Sequence, residues 1–147
     1  MKLKPVVLLV EKIHPRYLKL LEKKARVVRP AAFDEDSLAA LAEKEQVDAI
    51  IIRTRGVVTR KVIEASKRLK VIGRHGIGVD HIDLNAATQA GVWVLNTPGA
   101  SRLAAAEHTW GVLLGLVKHV VKGDAALRKG DFGFRERHKS LQLSGKT

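Results

Sequence analysis

The sequence predicts an α/β fold: a parallel five-stranded sheet with helices on both faces, followed by one long helix. Three observations carry this. Short runs of Val, Ile and Leu recur between Pro5 and Leu95, and such continuous runs mark strands buried on both faces of a parallel sheet. Segments with apolar residues at helical spacing lie between them, so strand and helix alternate. After Pro98 the pattern changes to a helical run longer than any before it.

Taken in order, Pro5 to Val10 is the first strand. A helix follows from Pro15 to Lys24; proline suits its first turn, and Leu18, Leu21 and Ala25 form its apolar stripe. Val27-Val28 is a short second strand. Asp34 or Asp36 caps the next helix, which turns Leu38, Leu41 and Ala42 inward. Ala49 to Ile52 is the third strand and ends at Arg53-Thr54-Arg55-Gly56. Thr59 caps a short helix through about Lys67. Leu69 to Ile72 is the fourth strand, broken at Gly73 into a glycine-rich loop. Asp83 caps a helix from Leu84 to Ala90, which Gly91 stops. Val92 to Leu95 is the fifth strand. Five short strands in this order suggest a flavodoxin-like sheet. Ser101 to about Lys122 then reads as one helix, apolar over so wide an arc that it packs against more than one surface. From Gly123 onward no clear periodicity remains.

Composition excludes several classes. A chain of 147 residues can bury a core. It has no cysteine, which removes disulfides and thiolate metal sites and fits a reducing cytoplasm. The apolar run near the N-terminus is too short for a signal peptide and reads as a strand. No run approaches the roughly 18 residues of a membrane span. The net charge of +12 invites a nucleic-acid reading. The basic residues are spread along the chain among glutamates, however, which favours a solvated basic surface.

Ligands of open parallel sheets bind outside the carboxyl ends of the strands. Here those ends carry Glu11-Lys12, Arg53-Thr54, the loop from Arg74 through His75, Gly76 and Ile77 to Gly78, and Asn96-Thr97. Arginine can donate two parallel hydrogen bonds to a carboxylate or phosphate. A glycine loop brings backbone donors to an anion with no side chain in the way. The residues leave two readings open: a site for a small acid, or a tight turn flanked by surface charges. Gly73, Gly76 and Gly78 give G-x-x-G-x-G, which is not the dinucleotide fingerprint, and the VDHID that follows does not open a helix at once. Gly145-Lys146-Thr147 lacks the earlier glycine of a phosphate-binding loop, since Ser140 stands there. The histidines form no metal set, and Glu107-His108 are helical neighbours that point in different directions.

LKVIGRHGIGVDHIDLNAATQAGVWVLNTPGASRLAAAEHTWGVLLGL closely resembles the N-terminal half of the D-isomer-specific 2-hydroxyacid dehydrogenases, the phosphoglycerate dehydrogenases among them most of all. The elements G-R-x-G-x-G-V-D-x-I-D, N-T-P and A-E-H-T occur in the family's order and spacing. The resemblance implies an NAD-dependent enzyme with a flavodoxin-like substrate domain (residues 1–100), a linking and dimerising helix (101–122) and the start of a nucleotide-binding domain (123–147). It implies oxidation of 3-phosphoglycerate, as in serine biosynthesis, or reduction of a related 2-oxo acid such as hydroxypyruvate. It places Arg53 and Thr54 near the substrate's acidic groups and Arg74 at the mouth of the site. His75 and the Gly76-Ile77-Gly78 backbone would hold the carboxylate, with Asn96 lining the cleft. Ile77 would border the nicotinamide, where relatives often carry Thr. In the family, L-x-G-K-T leads into the first strand of the dinucleotide fold, and the catalytic arginine, glutamate and histidine lie beyond Thr147. The expectations are a cytoplasmic homodimer joined through Ser101 to Lys122, a small hydroxy or oxo acid as ligand, no metal, no nucleic acid and no membrane. The chain by itself is expected to bind the acid weakly without turnover. The rival reading is a stand-alone small-acid-binding or regulatory module.

Overall fold

A computed structural model describes residues 4–146. The chain divides after Gly99 into two compact units. In the first, strands β1 (Val6–Leu9), β2 (Arg26–Val28), β3 (Ala49–Ile52), β4 (Val71–Arg74) and β5 (Trp93–Leu95) alternate with helices α1 (Pro15–Lys24), α2 (Glu35–Glu45), α3 (Arg60–Ala65) and α4 (Leu84–Gln89). All neighbouring strands are parallel, in the order β2-β1-β3-β4-β5. This is the expected flavodoxin-like α/β sheet.

Because parallel crossovers are right-handed, the step from β1 to β2 and the return steps to β3, β4 and β5 put their helices on opposite faces. The core agrees. Leu8, Ile50, Ile52 and Ile72 share one cluster with Leu38, Ala39 and Ala42 of α2, Val62 and Ile63 of α3, and Ala86 and Ala87 of α4. Alternate residues of a strand face the other way. Val7 and Leu9 are also buried, on the side where α1 supplies half-buried Leu18 and Leu21. Toward β5 that second face opens: Ile51 and Val71 are half-buried, and Trp93 and Leu95 are exposed.

Local chemistry fixes the helix ends. Pro15 opens α1, and the His14 ring nitrogen accepts the Arg16 N–H. The Asp34 carboxylate accepts the Ser37 N–H at 2.9 Å, and Asp83 accepts that of Ala86 at 2.8 Å. Gly91 follows α4 at φ +68° and ends it as expected. Three boundaries differ from the sequence reading. Thr59 stands at the N-cap of α3, but its hydroxyl makes no capping bond; it donates to Glu35 instead and ties α3 to α2. That helix stops at Ala65, where the buried Ser66 hydroxyl donates to the Val47 carbonyl at 2.9 Å. Strand β4 starts at Val71 and runs through Gly73 to Arg74, because Ile52 of β3 pairs with Arg74. Leu41, expected inside, is only partly buried against the core.

In the second unit the long helix is broken. Helices α5 (Arg102–Val117) and α6 (Val120–Arg128) replace the single run from Ser101 to Lys122, and α7 (Phe134–Arg137) follows where the sequence shows no clear periodicity. The break lies at Lys118-His119, with His119 at φ +56°. A continuous helix would engage the Val117 and Lys118 carbonyls with later helical N–H groups. The Leu141 N–H takes the Val117 carbonyl at 3.1 Å instead. The Ser140 hydroxyl takes that of Lys118 at 3.5 Å. No residue of α5 is buried, and Leu103, Trp110, Val112 and Leu116 stay exposed. Among the described residues, no helix is long and apolar enough to cross a membrane.

Candidate functional site

The carboxyl ends of β3, β4 and β5 bring the predicted residues together. The His75 N–H donates to the Ile52 carbonyl at 2.8 Å, so Arg53 and Thr54 leave β3 beside the start of the glycine loop. The loop doubles back at once, with the Gly76 N–H donating to the Arg74 carbonyl at 2.9 Å. From the end of β5, the Asn96 amide donates to the Ile77 carbonyl at 2.9 Å. The Thr97 N–H donates to the Gly76 carbonyl at 2.8 Å. Asn96 is thereby fastened to the loop.

Arg74, expected at the mouth of a site, is engaged with its own loop. Its guanidinium folds over its own loop, donating from Nε to the Gly78 carbonyl at 2.8 Å and from a terminal nitrogen to the His75 carbonyl. Gly76, at φ +153°, makes room for this: a Cβ there would stand 2.4 Å from an Arg74 nitrogen. Loop carbonyls of His75, Gly76, Ile77 and Gly78 are thus all taken as acceptors. The Ile77 and Gly78 N–H groups have no acceptor among the described residues. Two successive N–H groups left free are donors that a small anion could take. The Asp80 carboxylate borders them, one oxygen lying 2.8 Å from where a Cβ on Gly78 would be.

One organising residue was not identified from sequence. The Glu11 carboxylate, just past β1, accepts the Arg53 N–H at 2.9 Å and the Thr54 N–H, and so fixes the start of the β3–α3 loop. The only sequence signal is its position after a parallel strand. Partial burial pushes the Glu11 carboxyl up, but the N–H groups of Thr54, Arg55 and Arg53 and the Arg53 charge together hold it below the ordinary value. A carboxyl with a lowered folded value contributes stability that is present above its unfolded value and is lost as pH falls through the folded one. Acid titration of unfolding midpoints is therefore expected to show a steeper loss below about pH 4 for the native chain than for Glu11→Gln. Parallel titrations of the two would remove this role.

The loop does not fit a dinucleotide pyrophosphate. Such a group sits where a glycine turn opens directly into a helix. Here α4 begins only at Leu84 and is six residues long. Ile77, 47% exposed, offers the loop's apolar surface. Among the described residues, no group of three or more His, Cys, Asp or Glu could hold a metal ion.

The sequence profile of the family described as "D-isomer specific 2-hydroxyacid dehydrogenase, catalytic domain" matches residues 7–140. A D-3-phosphoglycerate dehydrogenase of Methanocaldococcus jannaschii is 37% identical over 141 residues, covering 96% of this chain and 26% of that one. The chain thus spans about a quarter of the length of such curated relatives. A solved protein of Thermus thermophilus superposes with a TM-score of 0.80 at 30% identity, over 94% of this chain and 45% of that one. An NADPH-dependent glyoxylate/hydroxypyruvate reductase of Sinorhizobium meliloti, solved with NADP and malonate, gives a TM-score of 0.72 at 27% identity, over 95% and 41%.

Proposed function

The chain belongs to the D-isomer specific 2-hydroxyacid dehydrogenases, and from that premise we propose that it is the acid-binding part of an NAD-dependent enzyme. Residues 1–100 are then the substrate domain, 101–122 the interdomain and dimerising segment, and 123–147 the start of the nucleotide-binding domain. The substrate is 3-phosphoglycerate, or a related 2-oxo acid such as hydroxypyruvate. The Ile77 and Gly78 N–H groups receive its carboxylate. His75 and Gly76 complete the loop, Arg53 and Thr54 face the substrate's other acidic groups, and Asn96 closes the cleft. Arg74 acts by holding the loop's carbonyls away from the ligand. Ile77 lies on the nicotinamide side when the cofactor is present. The observation that supports this reading best is the pair of free N–H groups in a loop clamped by Arg74, Asn96 and Thr97.

Oxidation of a 2-hydroxy acid requires a group that takes the hydroxyl proton. We expect this chain to bind the acid without turnover. The second reading, a small-acid-binding or regulatory module, rests on the same pair of free N–H groups. Titration calorimetry of the whole chain with hydroxypyruvate and with 3-phosphoglycerate tests the site. Heat of binding that falls about tenfold in affinity in Arg74→Ala is expected; no heat with either acid would refute it. NADH formation at enzyme rates on adding NAD and 3-phosphoglycerate would refute the absence of turnover. Sedimentation equilibrium of the same sample should give about twice the 16.1 kDa chain mass, since α5 exposes Leu103, Trp110 and Leu116.

A further inference from the structure

The fold leaves one charged helix face without a partner. Helix α1 turns half-buried Leu18 and Leu21 and buried Ala25 toward the sheet. At about 3.6 residues per turn, Arg16, Lys19, Leu20 and Lys23 then point the opposite way, with Lys24 at the edge. All five are exposed. Glu22, the one acid of this helix, falls on the flank instead.

This face works against its own helix. Like charges three and four residues apart repel, as Arg16 and Lys19 do, and Lys19 and Lys23. A cation in the first turn opposes the helix dipole, and α1 carries Arg16 there with no acid in that turn. Elsewhere such charges are relieved. Arg60 pairs with Glu64 at 3.2 Å and Arg128 with Asp124 at 2.8 Å, each one turn away, and Lys61 reaches Asp36 of α2 at 2.5 Å. None of the four cations of α1 forms an ion pair among the described residues. Leu20 stands among them with its side chain 52% exposed, and Tyr17, one turn before it, is 59% exposed. A face kept only for solubility has no use for either apolar group.

We propose that the outward face of α1 docks an acidic helical segment of another protein. Carboxylates of that segment meet Arg16, Lys19 and Lys23, and one of its apolar side chains covers Leu20 and Tyr17. Charge complementarity selects this occupant. A second copy brings the same face and a net charge of +12, so it is repelled. A nucleic acid answers the cations through its phosphates and leaves Leu20 in water. An acidic amphipathic helix presents carboxylates and leucines at the same three- and four-residue spacing. From Arg16 to Lys23 the face runs about 10 Å along the axis, two turns of such a helix. None of these residues belongs to the acid site proposed above.

Fluorescence anisotropy tests this on the whole chain, with a labelled peptide of about 20 residues made of Glu, Leu and Ala in amphipathic helical order. The peptide is expected to bind, and more weakly as salt rises. Arg16→Gln/Lys23→Gln should weaken binding about fivefold or more. Lys129→Gln/Lys139→Gln removes the same charge elsewhere and should change affinity by less than about twofold. Leu20→Ser should cost about threefold, and a peptide with every Leu replaced by Ala should bind the native chain and Leu20→Ser alike. Loss of the α1 cations relieves their repulsion, so the urea midpoint of Arg16→Gln/Lys23→Gln should hold or rise, which separates lost binding from lost folding. Should that midpoint fall, Lys19→Gln alone is read the same way, with a loss of about twofold expected. No binding of the Leu-containing peptide, equal weakening in the two double variants, or tighter binding of a DNA duplex of equal charge overturns the proposal.

Discussion

Leu8→Ala lowers the free energy of unfolding by about 3–5 kcal/mol. Leu8 is fully buried in β1, which pairs with β2 on one side and β3 on the other. Its side chain belongs to the cluster that joins the sheet to α2, α3 and α4. Truncation removes the transfer free energy of the lost carbons and leaves a cavity that paired strands on both sides cannot collapse into. A domain of this size has only about 5–15 kcal/mol in total, so the variant should be partly unfolded at warm temperatures. Urea unfolding followed by circular dichroism measures the loss. Leu95→Ser on the open face of β5, where the side chain is 56% exposed, should move the midpoint little. Equal shifts for the two would contradict the division into a covered and an open face.

Gly76→Ala should cost both ligand affinity and stability. The new methyl would meet the Arg74 guanidinium at 2.4 Å, on a backbone at φ +153° that side chains rarely adopt. The arginine end is flexible and swings away cheaply. In doing so it releases the His75 and Gly78 carbonyls, and the loop can no longer keep its free N–H groups on one side. Misplacement on this scale is expected to weaken hydroxypyruvate binding by about tenfold or more, with an unfolding cost of about 1–3 kcal/mol from backbone strain. Calorimetry and urea unfolding on the same sample separate the two effects. Undiminished affinity would show that the loop geometry is not what receives the acid.

The sheet and its helices are legible in the sequence because each signal is local. Pro15, Asp34, Asp83 and Gly91 act within one turn of where they stand, and the Val, Ile and Leu runs mark the parallel strands, although only β1 is buried on both faces. Features set by distant partners are not legible. The fourth strand extends to Arg74 because Ile52 offers it a register partner, not because Gly73-Arg74 favours a strand. The helix after Ser101 breaks because Leu141 and Ser140 reach its carbonyls from the tail. At the candidate site, the residue types and their gathering at the strand ends could be read from the chain. The use of Arg74 on its own loop and of Glu11 on the Arg53 and Thr54 amides could not, since each is a choice among partners that only the folded backbone presents.

The open side of the sheet has an optical consequence. The chain has two tryptophans. Trp93 is 74% exposed on β5 and Trp110 is 58% exposed on α5. Both indoles already stand largely in water in the folded chain, so their emission carries little information about unfolding. It carries much more about what settles on these two faces: an apolar surface pressed against β5 or α5 dehydrates an indole and shifts its emission to the blue. For this protein, tryptophan fluorescence is a gauge of association rather than of folding.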